Sequence, residues 1–239
     1  MITVRNIYKS FGEIKALNDV SFDAGIGVLA LLGVNGAGKT TLIRVITGYL
    51  VPNDGEVSIE GLGIDDNRIE ALRNIGYVPE NNPIYQDLTS FEMIKLNADL
   101  WNIGKKDFAE NLNELVNRLD IKTVINQKIS TLSKGYKRRV AIAASLIHKP
   151  KILILDEPTD GLDPNQKFVV RKFIKEYSKD NIVIVSTHIM EDVEAIADRV
   201  MILDKGKIIL DAAPDELKKK APDNDMISAF YKITNSNKE

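Results

Sequence analysis

The sequence predicts an α/β fold: a mainly parallel sheet with an antiparallel β layer beside it, and an α-helical subdomain inserted between two parts of the core. Three observations predict it. The runs "GVLALLG" at 27–33, "KILILD" at 151–156 and "NIVIVST" at 181–187 are apolar on both alternations, as central strands covered on both faces are. The segments "VRNIYKSF" and "EVSIEG" alternate apolar and polar instead, which suits an antiparallel layer with one wet face. Residues 88–149 carry helical periodicity and no good strand.

In chain order, "VRNIYKSF" leads toward the first apolar run, which ends in a glycine-rich turn and the helix "KTTLIRVITGYL". "EVSIEG" follows as a further strand of the antiparallel layer. Thr89 with Glu92 makes a capping-box pattern, with Phe91, Ile94, Ala98 and Trp101 on one helical face. Leu112, Leu115, Val116 and Leu119 form a second stripe. A third helix begins near Ser133, and its basic residues Lys137, Arg138 and Arg139 are expected on exposed first turns, with packing against a partner subunit or bonding to the core as the alternatives. "RVMILDKGKIIL" reads as two strands joined at 204–207. Residues 214–239 are polar and lysine-rich, a short helix and a frayed tail. The whole is expected to be one domain: residues 1–87 and 148–212 as the α/β core, 88–147 as the helical subdomain, 213–239 as the C-terminal helix and tail.

Composition narrows the function. Formal charge is −2, from 32 Lys plus Arg against 34 Asp plus Glu, so nucleic acid is not expected as a partner. The absence of cysteine excludes disulfides, zinc knuckles and thiol nucleophiles. The first residues carry no signal-peptide core, and every apolar run is shorter than the ~18 residues a bilayer span needs. The chain is therefore expected to be cytoplasmic, without direct membrane insertion, and to reach a membrane only through a partner.

The strongest chemical motif is "GVNGAGKT" at 33–40, matching G-x-x-x-x-G-K-[ST] between a strand and a helix. Gly33, Asn35, Gly36, Ala37, Gly38, Lys39, Thr40 and Thr41 are the expected phosphate cradle. Gly36 and Gly38 let the backbone wrap close, and the helix N-terminus favours an anion. Lys39 is expected on the β- and γ-phosphates, and the Thr40 hydroxyl on Mg²⁺. "ILILDEP" supplies Asp156 for the metal and Glu157 to polarise a water. His188 ends the third apolar run at the same sheet edge, where ligands of such sheets collect. The only other histidine, His148, precedes a proline near a helix end. These residues define a P-loop nucleotide hydrolase without fixing its class.

The class comes from six motifs in order. "KSFGEIKAL", "GVNGAGKTT", "IGYVPENNPIYQDLTSFE", "LSKGYKRRV", "ILILDEPTDGLD" and "STH" together resemble the ATP-binding subunits of ABC transporters, over roughly residues 2–212. The resemblance implies an ATPase that uses ATP and Mg²⁺. It implies that Phe11 stacks on the adenine, and that Ser133 and Gly135 contact, in trans, the γ-phosphate of ATP held by a second subunit. Asp163 would bridge that head-to-tail dimer, formed with a second copy or a homologous ATPase subunit; a turn or helix-cap aspartate is the plain alternative. Glu80 would join Thr40 and Asp156 at the metal and link the site to an integral membrane permease, with the chain peripheral on the inner face of the cell membrane. Two motifs depart from the family: Lys134 and Tyr136 replace Gly and Gln of the usual Leu-Ser-Gly-Gly-Gln, and Glu80 stands where many members have Gln. The wording looks most like exporter-type subunits of drug efflux and gliding. The rivals are an ABC-type ATPase of DNA repair or translation, and a GTPase, against which stands the lack of an Asn-Lys-x-Asp motif.

Overall fold

The computed structural model describes residues 1–81 and 83–235. Chain order opens with β1 (Ile2–Phe11), β2 (Ile14–Ala24), β3 (Gly27–Leu32), α1 (Lys39–Ile46), β4 (Asp54–Ile59), β5 (Leu62–Gly63), α2 (Arg68–Leu72) and β6 (Ile75–Val78). The helical stretch is α3 (Ser90–Leu100), α4 (Lys105–Arg118) and α5 (Lys134–Leu146). Then come β7 (Ile152–Asp156), α6 (Pro164–Tyr177), β8 (Ile182–Thr187), α7 (Met190–Ile196), β9 (Arg199–Asp204), β10 (Lys207–Ala212), α8 (Pro214–Lys218) and α9 (Met226–Asn235).

A six-stranded sheet has the order β10-β9-β3-β8-β7-β6. Its inner pairs are all parallel, and only β10 runs antiparallel, as the second arm of the hairpin read from "RVMILDKGKIIL". The strands apolar on both alternations are covered on both faces. Leu29, Leu31, Ile154 and Ile184 meet α1 and the antiparallel layer. Val28, Leu155, Val183 and Val185 face the helical subdomain and α6. The antiparallel layer is a separate four-stranded sheet, β2-β1-β4-β5, which contains both alternating segments.

Three strands are not legible in the sequence: β2, the two-residue β5, and β6, which is only four residues long and includes Gly76. A Cβ at Gly76 would lie 2.6 Å from the Ser145 carbonyl oxygen. Glycine there lets α5 lie directly on the edge strand, at the expense of the strand signal.

In the helical subdomain the capping box is present: Thr89 caps the Glu92 N–H, and the Glu92 carboxylate accepts from the Thr89 N–H at 2.8 Å. The buried face of α3 is Ser90, Met93, Ile94 and Ala98, rotated from the predicted stripe. Phe91 is 38% exposed and leans edge-on against Phe108. Trp101 stacks on His148 with centroids 4.5 Å apart. In the second stripe Leu115 and Leu119 are buried, and Leu112 and Val116 pack against the same core.

The C-terminal expectation needs correction. Residues 226–235 form α9, not a tail, because Met226 and Ala229 bury against Leu217, Val200 and Ile202. The rest of the expected tail, 236–239, lies outside the described residues.

His148 gives the fold a pH dependence. Burial pushes its imidazole pKa down to about 4; the Ile75 carbonyl opposes this and the Arg73 charge adds to it. Protonation is therefore disfavoured in the folded chain, so this contribution is complete above pH 6.5 and is lost as pH falls from 6.5 toward 4. Replacing His148 by Phe, which keeps the ring on Trp101, is expected to flatten that part of the acid-side loss in thermal melts between pH 7 and 4. An unchanged slope would remove His148 from the acid response.

Candidate active site

The turn after β3 curls because its residues leave it no other path. Gly38 has φ 110°, in the left-handed region, and a Cβ there would lie 2.5 Å from the Ala16 carbonyl oxygen. It is also the N-cap of α1, and no side chain caps that end, so the first N–H groups of the helix are free for an anion. Lys39 is only 6% exposed, and its ammonium donates back to the Gly33 carbonyl at 2.6 Å. Burial lowers its pKa, while the Glu157, Asp156 and Glu80 carboxylates pull the other way.

Opposite this turn, β7 and β8 end side by side. Asp156 pairs in register with Ser186, whose hydroxyl donates to Asp156 Oδ1. Asp156 Oδ2 is buried and has no partner. Glu157 follows in the left-handed region at φ 48°, with its N–H held by the Ser186 carbonyl at 3.1 Å. One carboxylate oxygen of Glu157 is 3.9 Å from the Lys39 ammonium, and the other is 3.0 Å from His188 Nδ1. Burial raises the Glu157 pKa, opposed by the hydrogen bond from His188 and the charges of His188 and Lys39, with Asp156 adding to the rise. Asn35, Gly36, Thr40, Thr41 and Glu80 join Lys39, Glu157 and His188 around one cleft of about 420 Å³.

These groups fit a hydrated divalent cation. Asp156 Oδ2 is an unpaired buried carboxylate oxygen, and such an atom is costly unless a cation or water completes it. Among the described residues no three His, Cys, Asp or Glu side chains converge as a closed metal cage. The arrangement suits a Mg²⁺ that keeps waters and substrate oxygens in its shell.

Other expected site residues lie apart. Phe11, 48% exposed at the end of β1, does not line the cleft, though Ile14, Lys15 and Ala16 just after it do. The Lys9 ammonium sits 5.5 Å from its ring centroid. Ser133 is exposed as the N-cap of α5, and neither it nor Gly135 reaches the cleft of its own chain. Gly135 packs against the Gln166 side chain, which occupies the space a Cβ would take. Asp163 caps α6, accepting from the Gln166 N–H at 3.0 Å.

The basic run is corrected most. Arg138 and Arg139 are each 2% exposed, so they are not on an exposed turn. Arg139 donates to the Leu119 and Asp120 carbonyls and lies over the Tyr136 ring at 4.3 Å, which gives Tyr136 a packing role. Lys134 pairs with Asp160 at 3.3 Å, joining the start of α5 to the loop before α6. Sequence reasoning also missed Asp192. It is fully buried and accepts from Thr159, Thr187 and Arg171, tying the loop after Glu157 to the end of β8. An acidic residue on the first turn of a helix gives no sign of such burial.

The chain resembles known proteins over most of its length. The family described as "ABC transporter" matches residues 17–160. The uncharacterized ABC transporter ATP-binding protein YdbJ of Bacillus subtilis is 39% identical over 211 residues, 87% of this chain and 68% of the relative. The Bacillus subtilis ABC transporter ATP-binding protein NatA is 31% identical over 237 residues, 96% of each. The bacitracin transport ATP-binding protein BcrA of Bacillus licheniformis is 35% identical, covering 92% of this chain and 72% of the relative. Among solved structures, an ATP-binding subunit of an ABC transporter superposes with TM-score 0.88 at 26% identity, over 98% of this chain and 99% of that one. A dimeric bacterial ABC transporter cassette gives 0.81 at 26% identity, over 89% and 98%.

Substituting Gly38 by Ala tests the turn. The methyl group meets the Ala16 carbonyl, and the backbone stays in the left-handed region. The expected loss is about 2 kcal/mol, or roughly 4–8 °C in melting temperature, with nucleotide affinity reduced in a fluorescent-nucleotide titration. Wild-type melting and affinity would show that the turn tolerates a side chain.

Proposed function

Because this chain belongs to the ABC transporter family, as an ATP-binding and ATP-hydrolysing subunit, we propose the following division of labour for its site. The loop from Gly33 to Thr41, with Lys39, holds the phosphates of ATP, and Phe11 covers the adenine. Thr40, Asp156 and Glu80 would hold Mg²⁺, which would neutralise charge on the phosphates. Glu157 takes a proton from the attacking water. As the water oxygen bonds to the γ-phosphorus, the bond to the β-phosphate oxygen breaks, and ADP and phosphate leave. His188 orients Glu157 and the water.

The observation that carries this reading is the chain of contacts from Lys39 to Glu157 to His188, closed beside the unpaired Asp156 oxygen. It supports a base and a cation facing one cleft, with the buried carboxylate of the adjoining Asp156 free for a metal. The raised pKa of Glu157 suits a base, since proton transfer is most effective when the base's pKa approaches the working pH.

Ser133 and Gly135 complete the site of a second subunit in a head-to-tail dimer, with Asp163 near the interface. Ser133 at the N-cap of α5 is exposed, Gly135 lies buried against Gln166, and neither lines its own chain's cleft; the exposed Ser133 is what supports a contact in trans. Closure on ATP and reopening after hydrolysis move a separate membrane permease through the region around residues 80–92 and the helical subdomain, taken as residues 88–147. Among the described residues no helix is long and apolar enough to cross a membrane, so translocation falls to that permease. The direction we propose is export, from the wording of "PENNPIYQDLTSFE" and "LSKGYKRRVAIAASLI". A relative bearing the name of bacitracin transport is in keeping with a small transported molecule.

Glu157→Gln is expected to bind ATP, lower kcat by about 10²–10⁴-fold and accumulate as an ATP-bound dimer on size exclusion. Rapid turnover in that variant would take the base role from Glu157. Ser133→Arg is expected to leave nucleotide binding by the monomer intact and abolish hydrolysis that depends on dimerisation; an unchanged rate would end the trans contact. Affinity purification is expected to recover an integral membrane protein, whereas a tight ribosome or DNA complex would replace transport by repair or translation.

A further inference from the structure

Arg138 has a position that the proposed chemistry leaves unused. It lies on the second turn of α5, in the helical subdomain, yet its guanidinium reaches into the catalytic edge of the sheet. One terminal nitrogen donates to the Pro79 carbonyl at 3.0 Å. The other donates to the Glu80 carbonyl at 3.0 Å and to the Glu157 carbonyl at 3.2 Å. All three bonds go to main-chain oxygens, none to a carboxylate. A planar guanidinium can hold three carbonyls in fixed relation, which a flexible ammonium cannot.

The three carbonyls are not arbitrary. Two belong to the segment that leaves β6 and carries Glu80 into the cleft. The third belongs to Glu157, whose backbone sits in the left-handed region at φ 48°. From the other side, the Glu157 N–H is held by Ser186, through its carbonyl at 3.1 Å and its hydroxyl at 3.2 Å. The residue is thus clamped at both ends, by β8 at its N–H and by α5 at its carbonyl. The Asp156, Glu80, Asp160 and Glu157 carboxylates all act on the buried Arg138 charge.

We propose that Arg138 is a positioning residue for hydrolysis: by bonding the Pro79, Glu80 and Glu157 carbonyls together, it fixes the proposed base and the proposed metal-side glutamate relative to α5. Because Ser133 caps the same helix, movement of the subdomain that brings Ser133 to a partner's nucleotide also moves the support of this chain's own Glu157 and Glu80. The inference rests on the roles proposed for Glu157 and Glu80. Side-chain placement matters on this scale, since a shift of 1 Å can cost about 10²-fold in rate.

The test compares Arg138→Met and Arg138→Lys with Arg139→Met in the full-length chain. Arg139 is equally buried and also bonds carbonyls, but those of Leu119 and Asp120, away from the cleft. Each variant is assayed for melting temperature, affinity for a fluorescent ADP analogue, kcat, KM for ATP and the Mg²⁺ concentration for half activity. Both Arg138 variants are expected to lose at least ~10-fold in kcat and to need ~3-fold or more additional Mg²⁺, with ADP affinity within about twofold. Arg139→Met is expected to lose comparable stability with kcat within about threefold of wild type. If Arg138→Met does not fold, Arg138→Lys, which keeps the charge and part of the bonding, is read in the same way. Arg138 variants with wild-type kcat and Mg²⁺ dependence, or with a kcat loss matched by Arg139→Met at equal loss of stability, would overturn the proposal. Glu157→Gln assayed alongside separates the two levels. If it turns over normally, the underlying reading fails; if it is inactive while Arg138→Met is fully active, only the positioning role fails.

Discussion

The parallel register of β3, β8 and β7 is the constraint on which the rest depends. Leu32 pairs with Thr187, and Asp156 with Ser186, so three strands stop at one edge together. A slip of one residue in any of them would present to each core the side chains fitted to the other and carry its terminal polar residue away from the others. The two apolar cores, one on each face of the sheet, oppose such a slip with every buried side chain. The precision of the polar edge is borrowed from hydrophobic packing several residues away.

That edge concentrates buried charge. Lys39, Asp156, Glu157, Arg138 and Asp192 are all nearly inaccessible. Such groups are tolerable only when paired or hydrogen-bonded, and most of them are, with the Asp156 Oδ2 atom as the exception. The pairing is not symmetrical in purpose. Asp192 is fully engaged by Thr159, Thr187 and Arg171 and holds loops in place. Lys39 bonds its own loop's carbonyl, an arrangement that a phosphate can replace.

Much of this was legible in the sequence, for reasons that differ by element. Strands β3, β7 and β8 announce themselves because burial on both faces leaves no polar alternation. The glycine-rich turn is legible because left-handed backbone at Gly38 demands a residue without Cβ. What stayed hidden shares one cause: tertiary contact overriding local pattern. Arg138 and Arg139 carry the composition of a wet surface, and only the carbonyls that α5 meets make a buried place for them. β6 gave up its strand signal to let α5 approach. α9 looked like a tail because the lysine-rich residues around it mask Met226, Ala229, Phe230 and Ile233, the apolar residues by which it docks. The Lys134 to Asp160 and Tyr136 to Arg139 contacts account for two departures in the signature that sequence could only flag.

The backbone of Glu157 carries a last consequence. A residue with a side chain at φ 48° costs on the order of 1 kcal/mol that glycine would not. Selection for stability alone would therefore drift this position toward glycine or asparagine, and each such step would make a sturdier protein that no longer has a carboxylate beside His188. Under the role proposed for Glu157, the position records a standing compromise: the chain keeps a costly backbone conformation for the sake of a carboxylate beside His188.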